Sequence, residues 1–212
     1  MNPKPFIKAS AITNLSDARY FASYGVAMMG FCFDPKSVDF INPFKMREIS
    51  GWVEGPKLAG EFDHLSVEAM IEAIQAEQLD YAQVKLKSIT KEHSALDIVP
   101  LILEIEITAE TDFAAAENFL SQVYTADDYV LLNSLYITDK QLEETPFRNF
   151  IKSICTKYPT ILQHHFTATN ALGIIDAFHP AGVSLKGGSE IKTGTKLFEA
   201  TDALMEVLQQ EL

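Results

Sequence analysis

The sequence predicts a closed barrel of eight parallel strands wrapped by helices, a (β/α)8 fold in the α/β class. Three observations predict it. Short apolar runs alternate with helical patterns along the chain. Eight such runs can be counted. No linker or low-complexity segment interrupts them in 212 residues, so one barrel domain spanning residues 1–212 is expected. An open doubly wound sheet is the rival, but it rarely has eight such evenly spaced units. "GFCF" and "LILEIEI" are also less apolar on one parity than strands covered on both faces usually are. A barrel tolerates that pattern better, because inward residues near its C-terminal mouth can reach solvent.

The strand-like runs are Pro5 to Ser10, Ala27 to Phe33, Lys57 to Phe62, Tyr81 to Leu86, Ile98 to Ile107, Tyr129 to Asn133, Thr160 to His164 and Gly182 to Leu185. Between them lie helical stretches. Thr13 stands where the first strand hands over to a helix of about Leu15 to Tyr24, which stops at Gly25, a good residue for ending a helix. Val67, Met70, Ile71 and Ile74 keep helical spacing behind a cap at Ser66. Ala116, Phe119, Leu120 and Val123 do the same, and Leu197, Thr201, Leu204 and Leu208 form the last stripe. The fourth helix, "KSITKEHSALD", is short and polar and is expected to be a turn or two. The acidic runs "TAETD" and "LEE" read as helix-start charges.

Composition narrows the function classes. The chain is 47% apolar and 22% charged, as in ordinary globular proteins, with a net charge of -12. An acidic surface repels nucleic-acid backbones and anionic membranes, so neither is an expected partner. No apolar run approaches the roughly 20 residues of a membrane span. "MNPKPFIK" lacks an apolar core for a signal peptide, and a cytoplasmic protein is expected. Cys32 and Cys155 read as two reduced, buried thiols. No His-Glu-x-x-His or Cys-x-x-Cys pattern occurs, so no metal or other cofactor is expected.

Strand alternation gives the inward set. On the fifth strand Leu101, Leu103, Ile105 and Ile107 suit the helix side, which turns Glu104 and Glu106 inward. Gln83 and Lys85 share a parity, as do Lys8 and Ser10, Glu61 and Asp63, and Ser184 and Lys186. Acids and lysines would therefore crowd the mouth, where barrel enzymes keep their sites. They are either a Lys–Glu network that fills the barrel or a small-molecule site in which Lys85 or Lys186 meets an anion. His164 and His165 are adjacent on a strand and point to opposite faces, so one is expected in the mouth and one outside. "KGGS" places Gly187 and Gly188 where backbone N–H groups either hold a phosphate or only make a tight turn.

"IKASAITNLSDARYFASYGVAMMGFCFDPKSVDFINPFKMREI" resembles the start of the phosphoribosylanthranilate isomerase family of tryptophan biosynthesis. That family reads K-I-C-G-I-T-N at the first strand end and G-F-x-F-x-P-K-S-x-R-x at the second. "LDYAQVK", "YVLLNS" and "GVSLKGGSEIKTGTK" resemble its fourth, sixth and eighth strands, so the likeness runs the length of the chain. The resemblance implies the barrel, and an Amadori rearrangement that turns an aminoaldose into an aminoketose by general acid and base. It also implies roles that this chain has substituted. Ser10 stands at the base, a cysteine in the family. Asn133 stands at the acid, an aspartate there, and Ser184 at an aspartate on the eighth strand. Asp39 takes the place of the arginine that meets the substrate carboxylate. His164 and His165 replace a phosphate-cradling Gly-Gly, while Gly188 keeps a phosphate-loop glycine.

These substitutions remove much of what the reaction needs. A serine is a far weaker base than a thiolate, an asparagine supplies no titrating proton, and Asp39 repels a carboxylate. The expectation is a diverged relative with lost or strongly reduced isomerase activity, monomer or homodimer. It would hold a small metabolite, phosphorylated or not, among Asp39, Gln83, Lys85, Glu104, Glu106, His164, His165, Lys186, Gly187 and Gly188. One alternative is an active isomerase that uses Ser10 with a nearby acid. The other is a non-catalytic interaction or regulatory barrel. It would show a mouth filled by Glu–Lys pairs and an exposed apolar patch around Phe40, Phe44 and Trp52.

Overall fold

The computed structural model describes residues 4–89, 96–187, 190–192, 195–196 and 199–210. Its strands are β1 (Phe6–Ser10), β2 (Met28–Cys32), β3 (Lys57–Phe62), β4 (Tyr81–Lys85), β5 (Leu101–Glu106), β6 (Tyr129–Asn133), β7 (Thr160–Gln163) and β8 (Gly182–Lys186). They pair in sequence order and close into a barrel. Closure comes from β1 against β8, in parallel register from Phe6 opposite Gly182 to Ser10 opposite Lys186. A two-stranded antiparallel pair, β9 (Glu190–Lys192) and β10 (Thr195–Lys196), follows β8 and was not expected from the sequence.

The helices are α1 (Leu15–Ser23), α2 (Pro43–Ser50), α3 (Val67–Ala76), α4 (Phe113–Val123), α5 (Asp139–Glu143), α6 (Thr145–Lys157), α7 (Ala171–Phe178) and α8 (Glu199–Gln210). Their starts follow capping chemistry. Asn14, not Thr13, caps α1 by accepting the Asp17 N–H, and Ser66 caps α3 by accepting the Ala69 N–H. Asp112, the last residue of "TAETD", caps α4. Helix α1 ends at Gly25, whose φ of 66° suits glycine. Between β4 and β5 a short 3-10 turn, Leu86–Ser88, stands where the weak fourth helix was expected; residues 90–95 of that stretch lie outside the described residues, as does Leu197.

Two apolar layers hold the molecule together. The outward parity of the strands, for example Leu103, Ile105, Val130, Leu132 and Val183, packs against the helices in one continuous core. The inward parity divides by height. Met28, Ala59, Ile102, Leu131 and Ile161 fill the middle of the barrel, with Phe6, Tyr81 and Tyr129 packed against them from its N-terminal end. The Phe6 and Tyr129 rings meet edge to face at 5.4 Å. One residue pair further along every strand but β2 the inward position is polar: Ser10, Glu61, Gln83, Glu104, Asn133, Gln163 and Ser184. The lower layers close the barrel; the upper one forms the floor of its mouth.

Two aspartates stitch the opposite end. Asp80, just before β4, accepts the Leu58 N–H and a Lys57 ammonium hydrogen. Asp128, just before β6, accepts the Leu101 N–H together with the N–H and hydroxyl of Thr125. Charge-assisted bonds from strand starts fit the face where barrels invest in stability.

Candidate functional site

The floor of the mouth begins with a buried lysine. Lys8 has no exposed surface, so its ammonium needs partners. It donates to Glu61 Oε1 at 2.5 Å and to Ser10 Oγ at 2.7 Å. Ser10 Oγ lies 2.6 Å from Ser184 Oγ, and Glu61 Oε2 accepts the Ala11 N–H at 3.2 Å. Gly30 on β2 makes this crossing possible: a Cβ there would sit 2.0 Å from Glu61 Oε1 and 2.8 Å from Lys8 Nζ. Ala11 turns the chain out of β1 with φ at 54°, a left-handed conformation that an alanine rarely adopts.

A second cluster centres on Glu104. Its two carboxylate oxygens accept from the side-chain amides of Gln83 (2.7 Å) and Asn133 (2.8 Å). Burial pushes the Glu104 carboxyl above the usual carboxylate range, and the two amide donors only partly offset it. Asn133 Oδ1 accepts the Leu135 N–H at 3.3 Å, whereas Gln83 Oε1 is buried without a partner among the described residues.

A third cluster is ionic. Lys85 reaches Asp63 at 2.7 Å and Glu106 at 2.9 Å, and Lys87 caps the other oxygen of Glu106. Burial alone would lower the Lys85 pKa, but the two carboxylates outweigh it and the ammonium is held above its ordinary value. On the rim Lys186 pairs with Asp39 at 2.5 Å, and His64 Nδ1 lies 2.6 Å from Asp34. Neither Lys85 nor Lys186 is unpaired, and Lys186 is exposed rather than desolvated.

These groups surround a cavity of about 250 Å³ at the C-terminal ends of the strands. Of the residues expected to form the site, it brings together Ser10, Asp39, Gln83, Lys85, Glu104, Glu106, Asn133 and Lys186. Ser184 sits behind Ser10, buried. Gly187 is described but does not line the cavity, and Gly188 lies outside the described residues.

The two histidines depart from the expected split, since neither lines this cavity. His164 is buried on the helix-facing parity of β7, with Nδ1 3.0 Å from both Ser134 Oγ and the Ser134 carbonyl and Nε2 2.8 Å from Asp139. The Ser–His–Asp grouping is structural: Ser134 is fully buried and its hydroxyl donates to the Gln163 carbonyl. The exposed His165 holds the Leu135 carbonyl at 3.0 Å. Both rings cross-link the loops after β6 and β7.

Several lining residues were missed in the sequence. Asp34 and Cys32 enter from the end of β2, and Gln163 from the end of β7. Gln163 could have been found, because it shares a parity with the core residue Ile161. Asp34 lies beyond the strand end, where alternation no longer predicts direction. Asp34, Asp63 and His64 bring three possible metal-ligand atoms within 4.8 Å of one another, but those atoms already pair with each other and with Lys85. Cys32 and Cys155 are free and half-buried rather than fully buried; burial pushes the Cys155 thiol up to about 12 and raises Cys32 as well.

Fold and site together define a (β/α)8 barrel with a charged cavity, sized for a small ligand, at its C-terminal mouth. No family model matches the chain. The N-(5'-phosphoribosyl)anthranilate isomerase of Maridesulfovibrio salexigens is 24% identical over 198 residues, covering 90% of this chain and 91% of that one. The crystal structure of phosphoribosyl anthranilate isomerase from Thermotoga maritima superposes with a TM-score of 0.78 at 21% identity, over 96% of this chain and 98% of that chain. A structure of phosphoribosyl anthranilate isomerase in complex with reduced 1-(o-carboxyphenylamino)-1-deoxyribulose 5-phosphate gives 0.76 at 22%, with the same coverage. The chain is thus similar, in sequence and in fold, to members of the phosphoribosylanthranilate isomerase family.

Proposed function

We propose that the chain is a diverged member of this family in which the Amadori isomerisation is lost or strongly reduced, and that its mouth binds, and in some form transforms, a small metabolite. What carries the reading is how the substituted positions are spent. Ser10 accepts from the Lys8 ammonium, which also donates to Glu61 Oε1, so no base is at hand to activate its hydroxyl. Asn133 donates its amide to Glu104. Asp39 offers a substrate carboxylate a negative charge, and it occupies Lys186, the nearest replacement for an anion clamp. A cavity of about 250 Å³ nevertheless stays open, which favours a ligand over a filled, inert mouth.

The test is a calorimetric titration with the reduced carboxyphenylamino-deoxyribulose phosphate found in the related complex. We expect binding weaker than about 1 mM, whereas a working isomerase site should hold this product-like anion about a thousandfold tighter. Micromolar binding would sink the reading.

Two alternatives each have an observation behind them. Glu104, its carboxyl raised by burial and bonded to the residue at the family's acid position, is the nearby acid that an active isomerase using Ser10 would need. Phe44 and Trp52, each 66% exposed, and Phe40 keep an interaction or regulatory role open. On all three readings the protein is taken to be a cytoplasmic monomer or homodimer. No helix among the described residues is long and apolar enough to cross a membrane.

A further inference from the structure

We infer that the floor of the mouth is a receptor for a small organic cation, a primary amine that also carries hydroxyl groups, seated between Glu104 and Gln83 Oε1. The inference rests on the reading of the mouth as a metabolite site and narrows its ligand to a class that the family resemblance does not suggest.

Charge is the first observation. Six carboxylates line the cavity, from Asp34, Asp39, Glu61, Asp63, Glu104 and Glu106, against two lysines, Lys85 and Lys186. Both lysines are already paired within the cavity wall, and Lys8 is paired beneath it. A ligand entering this field gains if it is positive and loses if it carries a phosphate or a carboxylate.

Glu104 is the second. Asp34 faces His64, Asp39 faces Lys186, Glu61 faces Lys8, and Asp63 and Glu106 share Lys85. Glu104 alone of the six has no lysine or histidine side chain in ion-pair contact among the described residues. It is 9% exposed and holds only neutral amides. A buried carboxylate needs a counter-charge, and each of its oxygens can accept a further bond.

Gln83 is the third and the most specific. It is 7% exposed and lines the cavity. Its amide nitrogen is committed to Glu104, which fixes the orientation of the group and leaves Oε1 as a buried acceptor with no partner among the described residues. An orphaned buried carbonyl of this kind is unfavourable unless something donates to it. A ligand carrying both an ammonium and neighbouring O–H or N–H donors would answer Glu104 and Gln83 together; a phosphate would answer neither.

The test uses the purified full chain at neutral pH and three matched probes: glucosamine, glucose and glucose 6-phosphate, titrated by calorimetry and by amide chemical shifts. We expect glucosamine to bind about tenfold or more tighter than glucose, the discrimination of one charge-assisted hydrogen bond, with glucose 6-phosphate weaker than both. Glu104→Gln should erase the preference for the amine. Gln83→Met should weaken glucosamine about tenfold without changing the charge of the cavity. Thermal melts of both variants establish that they are folded. The inference is overturned if no amine binding is found, if the preference survives Glu104→Gln, or if glucose 6-phosphate binds tightest. In that last case the mouth remains a metabolite site with another ligand class. Failure of the metabolite reading itself would show differently, as turnover of phosphoribosylanthranilate.

Discussion

Gln83 and Glu104, neighbours on β4 and β5, are joined amide to carboxylate at 2.7 Å, and both are nearly out of reach of solvent. The bond gives Glu104 a donor but no charge, so its burial is only partly compensated. Much of what the mouth can do follows from that imbalance.

Stability should report it. A carboxyl raised by burial favours the folded chain in its neutral form. That contribution is complete below the unfolded carboxylate's value of about 4.3 and is lost as pH rises through the folded one. Glu104→Gln should therefore be neutral or stabilising at pH 7, and its advantage should shrink as the pH falls toward about 4. Urea unfolding of both proteins at the two pH values measures this. A variant clearly less stable at pH 7 would mean that the carboxylate is well compensated after all.

The Lys8–Glu61 pair behaves differently, because removing one partner strands the other. Lys8→Met should cost about 3–5 kcal/mol, and a double variant that also carries Glu61→Leu should recover most of it. Gly30→Ala should cost a comparable amount, since its Cβ would occupy the place of Glu61 Oε1. If Lys8→Met cost less than about 1 kcal/mol, the pair would not be the buried, mutually dependent unit described.

The strand ends and the parity of the mouth were legible in the sequence because they follow from local chemistry. Lys57–Phe62 and Tyr129–Asn133 begin and end where the apolar runs do. Glu104 and Glu106 interrupt an aliphatic strand at every second residue, which left them only the inward side. What stayed hidden depends on partners far along the chain. Lys8 and Glu61 are 53 residues apart, and nothing local tells a paired lysine from a free one, so for Lys85 and Lys186 a Lys–Glu network and a free anion-binding cation both stayed open. The histidines misled because the last strand residue before them is Gln163: His164 takes the outward parity, and His165 lies past the strand, where alternation stops.

Ala11 gives a prediction whose sign runs against habit. Its φ of 54° is a region where an alanine pays about 1 kcal/mol or more and a glycine does not. Ala11→Gly should be neutral or stabilising by up to about 1 kcal/mol, although the same change elsewhere usually destabilises. Chemical denaturation decides it, and a loss of more than about 1 kcal/mol would show that the turn is unstrained.

At the other end of the barrel, Asp128 is 3% exposed and accepts three hydrogen bonds. Asp128→Ala should destabilise by about 2–3 kcal/mol while leaving ligand binding at the mouth unchanged. A large change in binding with little change in stability would reverse the division of labour between the two ends.

The central claim is that the family's chemistry has left this mouth. The most direct measurement is the loss of anthranilate fluorescence when phosphoribosylanthranilate is mixed with the purified protein at high concentration, beside Ser10→Ala. The account predicts no loss above the uncatalysed background in either protein. Enzyme-dependent loss that disappears in Ser10→Ala would contradict it, and would make Ser10, with Glu104 as the nearby acid, a working catalyst.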